Sequence, residues 1–492
     1  MAQKQREGIL VQPEQRLSDE QVRLIDGVSR ELLEDPGLLC YNAEATELFK
    51  QAGAKVEDAD GCVRLRVPSE VVDKALDSAP SKIVLGARDP DNRLILDATE
   101  PRVRFGSGSE TNVWLDVQFA DGVAKFDRQP GSIERLRSAA HLAENLENLD
   151  FFIRCVNIQD KDVTEGNKDV NKFLTSLDNI TKHVQAGLTE ISALDDVLKL
   201  GRIIAGGEKE FEENPVLSFI TCVIKSPFQV VDDTAEKLIA IARSKAPVVI
   251  SSSPMGGATA PFDEFGMVAQ INAELLAGVT LNQLASPGAP VLYGAVPVRT
   301  RLDNLNDMYG APEFVHYNAD CAQMARHYKL PCYSTAGVGD VDKPGIQATA
   351  EKLLTLLNVP RYGAQYIHYA FGLLERTNVF CPEQAVMDDA HIGIVKNLLR
   401  EGGVAANRRD EVISTVREVM ESGHKTYVYH LPLPTRQEVY VSYPLEDEHD
   451  ALHAAHRKYH EILDAPRKPL DDETRDKIRR EVPGVLPQAL GE

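Results

Sequence analysis

No apolar run in the sequence approaches the ~20 residues that a membrane-crossing helix requires, so no spanning segment is expected. The opening, MAQKQREGILVQPEQ, lacks the apolar core of a secretory leader, and the cytoplasm is the expected compartment. Positive charge is scarce: 54 Lys and Arg stand against 75 Asp and Glu, a formal charge of −21. A nucleic-acid surface needs clustered Lys and Arg to displace counterions, so that partner class is not expected. A basic protein or a cationic small molecule remains compatible, and much of the acidity serves solubility. The seven cysteines (Cys40, Cys62, Cys155, Cys222, Cys321, Cys332, Cys381) form no C-x-x-C pair. They read as reduced thiols, and neither a disulfide framework nor a zinc ribbon is expected. Also missing are a G-x-G-x-x-G after a first strand, a Walker sequence and a G-x-S-x-G nucleophile turn. A dinucleotide fold, an ATP fold and a serine hydrolase all lose ground.

What is present belongs to a folded chain: 43% of residues are apolar and 26% charged. SDEQVRLIDGVSRELLED opens with a capping box, Ser18 with Gln21, and sets Val22, Ile25, Val28 and Leu32 at helical spacing. CVRLRVP alternates as a half-buried strand does, and SEVVDKALDSA returns to helical spacing. From Lys82 to Lys125 the pattern changes to short strands broken by Asp, Asn, Pro and Gly, which reads as a small antiparallel appendage.

After DRQPGS, helix and strand alternate. The strand candidates LDFFIRCVNI, KHVQAGL, PVLSFITCV, APVVISSS, APVLYGAV, PCYSTAG and AQYIHYAF are short, apolar and rich in β-branched residues. That is how strands of a helix-covered parallel sheet read. Seven or eight repeats over about 270 residues fit a (β/α)8 TIM-type barrel better than an open doubly wound sheet. The expected division is a helical and antiparallel-β region over 1–130, the barrel over 131–405 and a helical extension over 406–492. YHLPLPTRQEVYVSYP is expected as an extended insertion in that last part.

Barrel chemistry sits at the carboxyl ends of the strands. SSSPMGGATAP follows such a strand, and its Gly256 and Gly257 make either a tight turn or room for a bulky ligand. Gly294, Gly337, Gly339 and Gly372 recur at the ends of later strands. In HDALHAAHRKYH, His449, His453, His456 and His460 share a helical stripe. Spacing of this kind can gather metal ligands, but a helix surface or subunit contact is the expectation here. His368 can be an acid, a base or an anion ligand, or a satisfied core histidine. DDAHIGIV falls one residue short of the cobalamin-ligating D-x-H-x-x-G and is not read as a cobalamin site.

The strings GGATAP with NAELLAGVTLNQLASPGAPVLYG, TAGVGDVDKPGIQATAEK, EQAVMDDAHIGIVKNLLREGG and LDNITKHVQAGL together resemble the trimethylamine methyltransferase family. The resemblance covers roughly residues 80 to 405. It implies a barrel enzyme that moves a methyl group from an amine to the cobalt of a separate corrinoid protein. The founding enzymes carry pyrrolysine, whereas this chain has only standard residues, so it resembles the non-pyrrolysine branch that demethylates glycine betaine and related quaternary amines. A quaternary nitrogen is already activated, because it leaves as a neutral tertiary amine. Orientation and water exclusion then suffice, and no residue is assigned acid–base catalysis.

The resemblance implies that this chain holds no cofactor or metal tightly; cob(I)alamin, or methylcobalamin in the product, belongs to the corrinoid partner. A homo-oligomer without nucleic-acid or membrane partners is expected. The cation calls for aromatic faces, for which Tyr293, Tyr333, Tyr369 and Phe371 stand at strand ends, with strand packing as the plain alternative. Trp114 could cap the site or simply pack. A substrate carboxylate would go to Arg299, Arg301 or His368, unless the arginines are solvated ion pairs. His183, Gln185, Ser334, Asp340 and Gln347 complete the candidate substrate contacts. Gly256, Gly257, Gly294 and Gly337 are the expected corrinoid-facing clearance.

Overall fold

The computed structural model describes residues 6–400, 402, 404, 406–421 and 451–492. Eight strands, each followed by a helix, organise the chain: β1 (Arg102–Phe105), α1 (Ile133–Asn145), β2 (Phe151–Ile153), α2 (Glu165–Asn179), β3 (His183–Ala186), α3 (Leu194–Ala205), β4 (Leu217–Thr221), α4 (Asp232–Ser244), β5 (Val248–Ser252), α5 (Glu264–Ala285), β6 (Val291–Ala295), α6 (Pro312–His327), β7 (Cys332–Thr335), α7 (Ile346–Asn358), β8 (Tyr366–His368) and α8 (Pro382–Leu399). The sheet runs Ile9–Leu10, β1, β8, β7, β6, β5, β4, β3, β2. Its eight long-range pairings are parallel except for Ile9–Leu10, which lies antiparallel on β1. The result is a mixed α/β fold around a curled, mostly parallel sheet. Between β1 and β2, the two ends of the parallel run, Gly106 bridges Phe151 in parallel and the Asp150 N–H donates to the Phe105 carbonyl at 2.7 Å.

All seven strand candidates after DRQPGS are found. The segment from Lys82 to Lys125 is not one appendage. Lys82–Leu85 and Leu94–Asp97 form one antiparallel hairpin, and Val113–Ala120 with Val123–Pro130 forms another. Between them RVRF joins the main sheet as β1, parallel to β8. Turn residues on both sides disguise it as a third piece of the hairpin series.

Strand alternation sends one set of side chains inward and the other toward the helices. Phe151, Ile153, Val249, Leu292, Tyr333 and Tyr366 gather inside with Ile83, Leu85, Leu94 and Leu96 of the first hairpin, which thereby seals the amino-terminal end. Phe151 stacks on Tyr366 with centroids 3.5 Å apart. Gly106 allows this, since a Cβ there would lie 2.0 Å from the Phe151 ring.

The N-terminal helices Asp19–Glu34, Ala43–Ala52 and Ser69–Ser78 pack over α5. This explains why α5 is buried from Met267 to Gln283 on every side. Ser18 makes the expected capping box with Gln21, and Cys62–Arg66 is the expected strand. C-terminal helices span Arg409–Glu421, Ala451–Leu463 and Asp472–Glu481. The YHLPLPTRQEVYVSYP segment and His449 lie outside the described residues. His453 stacks on Phe119 at 4.3 Å, His456 pairs with Glu383 at 2.8 Å, and the His456 and His460 rings lie 4.4 Å apart. The histidine stripe therefore docks its helix on the body of the molecule. No helix among the described residues is long and apolar enough to cross a membrane.

Candidate functional site

Inside the curled sheet the polar residues fall into two groups. The lower group is His183, Gln185 and Ser218. His183 Nδ1 donates to the Gly86 carbonyl at 2.6 Å, and its Nε2 faces Ser218 Oγ at 2.7 Å. Gln185 Nε2 donates to the same hydroxyl at 3.0 Å, leaving Gln185 Oε1 buried without a partner. Burial holds the His183 pKa down to about 4, so the ring is neutral at pH 7. His183 stands at the first residue of β3, where it ties the sealing hairpin to the sheet rather than facing the open end.

The upper group surrounds β8. His368 Nδ1 bonds the Tyr333 hydroxyl, and Nε2 accepts the Ser109 N–H at 3.3 Å. Both ring nitrogens are thus engaged. Burial pushes the His368 pKa well below the ordinary imidazole range, which leaves no imidazolium for a carboxylate. Gly108 makes the arrangement possible: a Cβ there would lie 1.7 Å from His368 Nε2. Tyr369 follows with φ +75, a left-handed backbone that costs a bulky residue of order 1–3 kcal/mol. Strain of this size persists where neighbours dictate the position of a side chain.

Tyr369 is half-buried at the centre of a group of aromatic and polar side chains, the Tyr369 cup. Its ring lies 3.8 Å from His368 and meets Tyr309 edge-on at 6.0 Å and 80°. Ser109 hydrogen-bonds its hydroxyl, and the Cys222 thiol and Asp307 carboxylate both act on it electrostatically. Ile220, on the inward face of β4, packs with the inner cluster yet is only half-buried. Cys222 is exposed to solvent, although burial by its surroundings pushes its thiol pKa up and Ser251 bonds it. Exposure amid dense surroundings describes the wall of a cup. Opposite the sealed end, water reaches the interior.

The remaining candidates lie elsewhere. The Tyr293 hydroxyl donates outward to Asn272 of α5 at 2.8 Å, and Ser334 donates to Asn318 of α6 at 2.7 Å. Phe371 is fully buried in the main core, and Trp114 packs on Phe380 while donating to Asp116. Asp340 accepts the Tyr309 and Gly310 N–H groups at 2.8 and 3.0 Å, which shapes the loop before α6. Gln347 is exposed and bonds Glu351. The Arg299 guanidinium lies 3.6 Å over Phe262, with Glu313 at 3.8 Å, and Arg301 is exposed and paired with Asp303 at 2.7 Å. Among the described residues no hydrogen bond or ion pair joins either arginine to Tyr369, Tyr309 or His368.

The glycines are explained by the chain itself. An added Cβ would meet Tyr317 at Gly256 (3.1 Å), Phe262 at Gly257 (3.0 Å), Ile250 at Gly294 (2.2 Å) and Ala370 at Gly337 (2.8 Å). Gly339 and Gly372 likewise face Leu374 and Phe380. Each missing side chain makes room for a neighbouring group of the protein.

Sequence reasoning did not single out Cys222, Ile220, Asp307, Tyr309 or Arg376. Asp307 begins the short strand Asp307–Met308, held antiparallel to Val298–Thr300. Among the described residues its carboxylate has no hydrogen bond or ion pair, while Arg376 acts on it electrostatically. A charge left unpaired beside aromatic rings has no structural employment of its own.

The trimethylamine methyltransferase (MTTB) family model matches residues 4–481. The chain belongs to this family, and it is a methyltransferase. It is 31% identical to the trimethylamine methyltransferase MttB of Desulfitobacterium hafniense (strain DSM 10664 / DCB-2) over 412 residues, 83% of this chain and 79% of that protein. It is 29% identical to the MttB of Methanosarcina barkeri over 407 residues, covering 81% and 79%. The glycine betaine methyltransferase of Desulfitobacterium hafniense (strain Y51) is 25% identical over 428 residues, covering 86% and 85%. The family that the sequence strings resemble is the family found.

Proposed function

We propose that the chain moves a methyl group from a quaternary amine, most readily glycine betaine, to the cob(I)alamin of a separate corrinoid protein. Family membership supports the transfer, and the observation that carries the substrate class is the aromatic cup around Tyr369. A cationic nitrogen is attracted to ring faces within about 6 Å of their centroids. The cobalt(I) partner is the nucleophile: the Co–C bond forms as the C–N bond breaks, and the electron pair leaves with a neutral tertiary amine. No proton moves, so neutral His368 and the buried tyrosines suit the site as fixed, water-excluding walls.

The reading takes the sheet as a closed eight-stranded barrel, supported by the Gly106–Phe151 bridge between β1 and β2. The division at 131 and 405 is retained as a proposal, with β1 supplied from the first part. Docking at the carboxyl end is supported by exposed apolar residues on the βα loops and at the start of α7: Phe262 (51% exposed), Leu302 (62%), Leu305 (61%) and Ile346 (92%). Exposed apolar residues clustered at one end of a molecule favour a protein partner there.

The test is to mix the purified protein with cob(I)alamin and glycine betaine, proline betaine, carnitine or trimethylamine. Loss of the cobalt(I) absorbance with glycine betaine supports the proposal, and loss with another betaine renames the substrate. Binding of betaine with no change in cobalt, under conditions where the corrinoid is active, would make this a betaine-binding protein instead.

A further inference from the structure

We infer that the cup is a two-pole site for a zwitterion: Asp307 with the ring of Tyr369 takes the trialkylammonium end, and Arg376 takes the carboxylate. The inference rests on the proposed quaternary-amine chemistry and adds the residues and the second charge. Asp307 and Arg376 are both half-buried. They feel each other's charge, yet no ion pair within 4.0 Å joins them. Opposite charges at bonding distance normally close on one another. Here they are held apart by separate loops. Asp307 is fixed by its pairing with Thr300, and Arg376 by three successive left-handed residues, Glu375, Arg376 and Thr377, with φ of 47, 55 and 74°. The Arg376 N–H is also tied to the Gly339 carbonyl at 3.2 Å.

The aromatic floor between the poles is equally fixed. Tyr309 is bonded by Thr377, its ring meets Tyr369, and Asp307 acts on both phenols. A preorganised pair of opposite charges that do not neutralise each other favours a ligand carrying both signs. A simple tetraalkylammonium satisfies Asp307 alone, and choline does the same. Of the carboxylate candidates considered from sequence, His368 has both nitrogens engaged and Arg301 is paired with Asp303, while Arg299 lies over Phe262 with Glu313 at 3.8 Å and keeps one buried Nη1 without a partner among the described residues.

Cys222 gives a reading of the cup that needs no turnover. It is the exposed cysteine, Cys62 is half-buried, and the other five are buried. The full-length protein is treated with N-ethylmaleimide, and modification of the Cys222 and Cys62 peptides is followed by mass spectrometry. Glycine betaine should slow Cys222 labelling at about tenfold lower concentration than tetramethylammonium, a preference worth roughly 1.4 kcal/mol, with Cys62 unchanged. Arg376→Gln should abolish that preference and keep protection by tetramethylammonium. Asp307→Asn should abolish protection by both. A circular dichroism melt of each variant separates loss of binding from loss of fold.

Equal protection by both ligands in wild type and Arg376→Gln would overturn the second pole. Unchanged protection in folded Asp307→Asn would overturn the whole site. Methyl transfer without Cys222 protection would leave the proposed function standing and refute this placement. Protection without methyl transfer would do the reverse.

Discussion

The two ends of the same sheet are built by opposite means. At the amino-terminal end the hairpin Lys82–Leu85/Leu94–Asp97 drives Ile83, Leu85, Leu94 and Leu96 into the interior, and the one histidine there is neutral and fully bonded. At the carboxyl end Ile220 is half-exposed, Cys222 is open, and Asp307 has no bonded partner among the described residues. Apolar burial at one end supplies stability that allows unsatisfied charge and backbone strain at the other. The open end is also braced from behind. Lys352 and Asp388, both fully buried, pair at 3.1 Å, with Lys352 donating to the Gly337 and Leu373 carbonyls and Asp388 accepting the Gly372 N–H at 2.7 Å. This strut ties the loop after β7 to the loop after β8.

Breaking the strut should have the largest effect. Lys352→Ala leaves a buried carboxylate alone and should cost about 4 kcal/mol in denaturant unfolding, with loosened labelling protection at Cys222. A loss under 1 kcal/mol would remove the strut from the account. Leu94→Ala at the sealed end should cost about 3 kcal/mol and leave the order of preference among amines unchanged. A changed preference would mean that the two ends are not separable.

Acid sharpens the contrast. The folded His183 pKa is about 4 against an ordinary 6.5, so between these values the unfolded chain binds the extra proton. Stability from this residue is complete above pH 6.5 and is lost as the pH falls toward 4. About 2 kcal/mol of the difference between pH 7 and pH 5 should therefore disappear in His183→Gln, where the other titrating groups are unchanged. An identical pH slope in both proteins would refute the neutral anchor. Smallest of all, Arg301→Ala should stay within about 0.5 kcal/mol and leave activity intact, as exposed pairs do.

The repeating core was readable because buried parallel strands write short apolar runs, as in APVVISSS and PVLSFITCV. RVRF was not, since β1 sits between two hairpins and its neighbours GSGSE read as a turn. The glycines were ambiguous for a physical reason. A missing Cβ signals a close approach, but the sequence does not say whether the approaching atom is Phe262, Ile250 or a ligand.

Tyr369 was identifiable as an aromatic residue at a strand end, and His368 as a histidine beside it. Tyr293 met the same rule, and Ser334 was a further candidate; both point outward, because a one-residue step in a strand reverses the face. Asp307 and Arg376 lie in loop text rich in charge, TRLDNLNDMYG and LLERTNV, where a solvated residue and a site residue look alike. Only the structure separates Asp307, without a bonded partner among the described residues and acting electrostatically on two tyrosines, from Asp303, paired with Arg301.

A crystal structure of the full chain soaked with glycine betaine tests the central claim most directly. The account predicts trimethylammonium density over the Tyr369 ring, within about 6 Å of its centroid, beside the Asp307 carboxylate, with one methyl facing the open end. Betaine bound in any other cavity, with the Tyr369 cup holding only water, would contradict it.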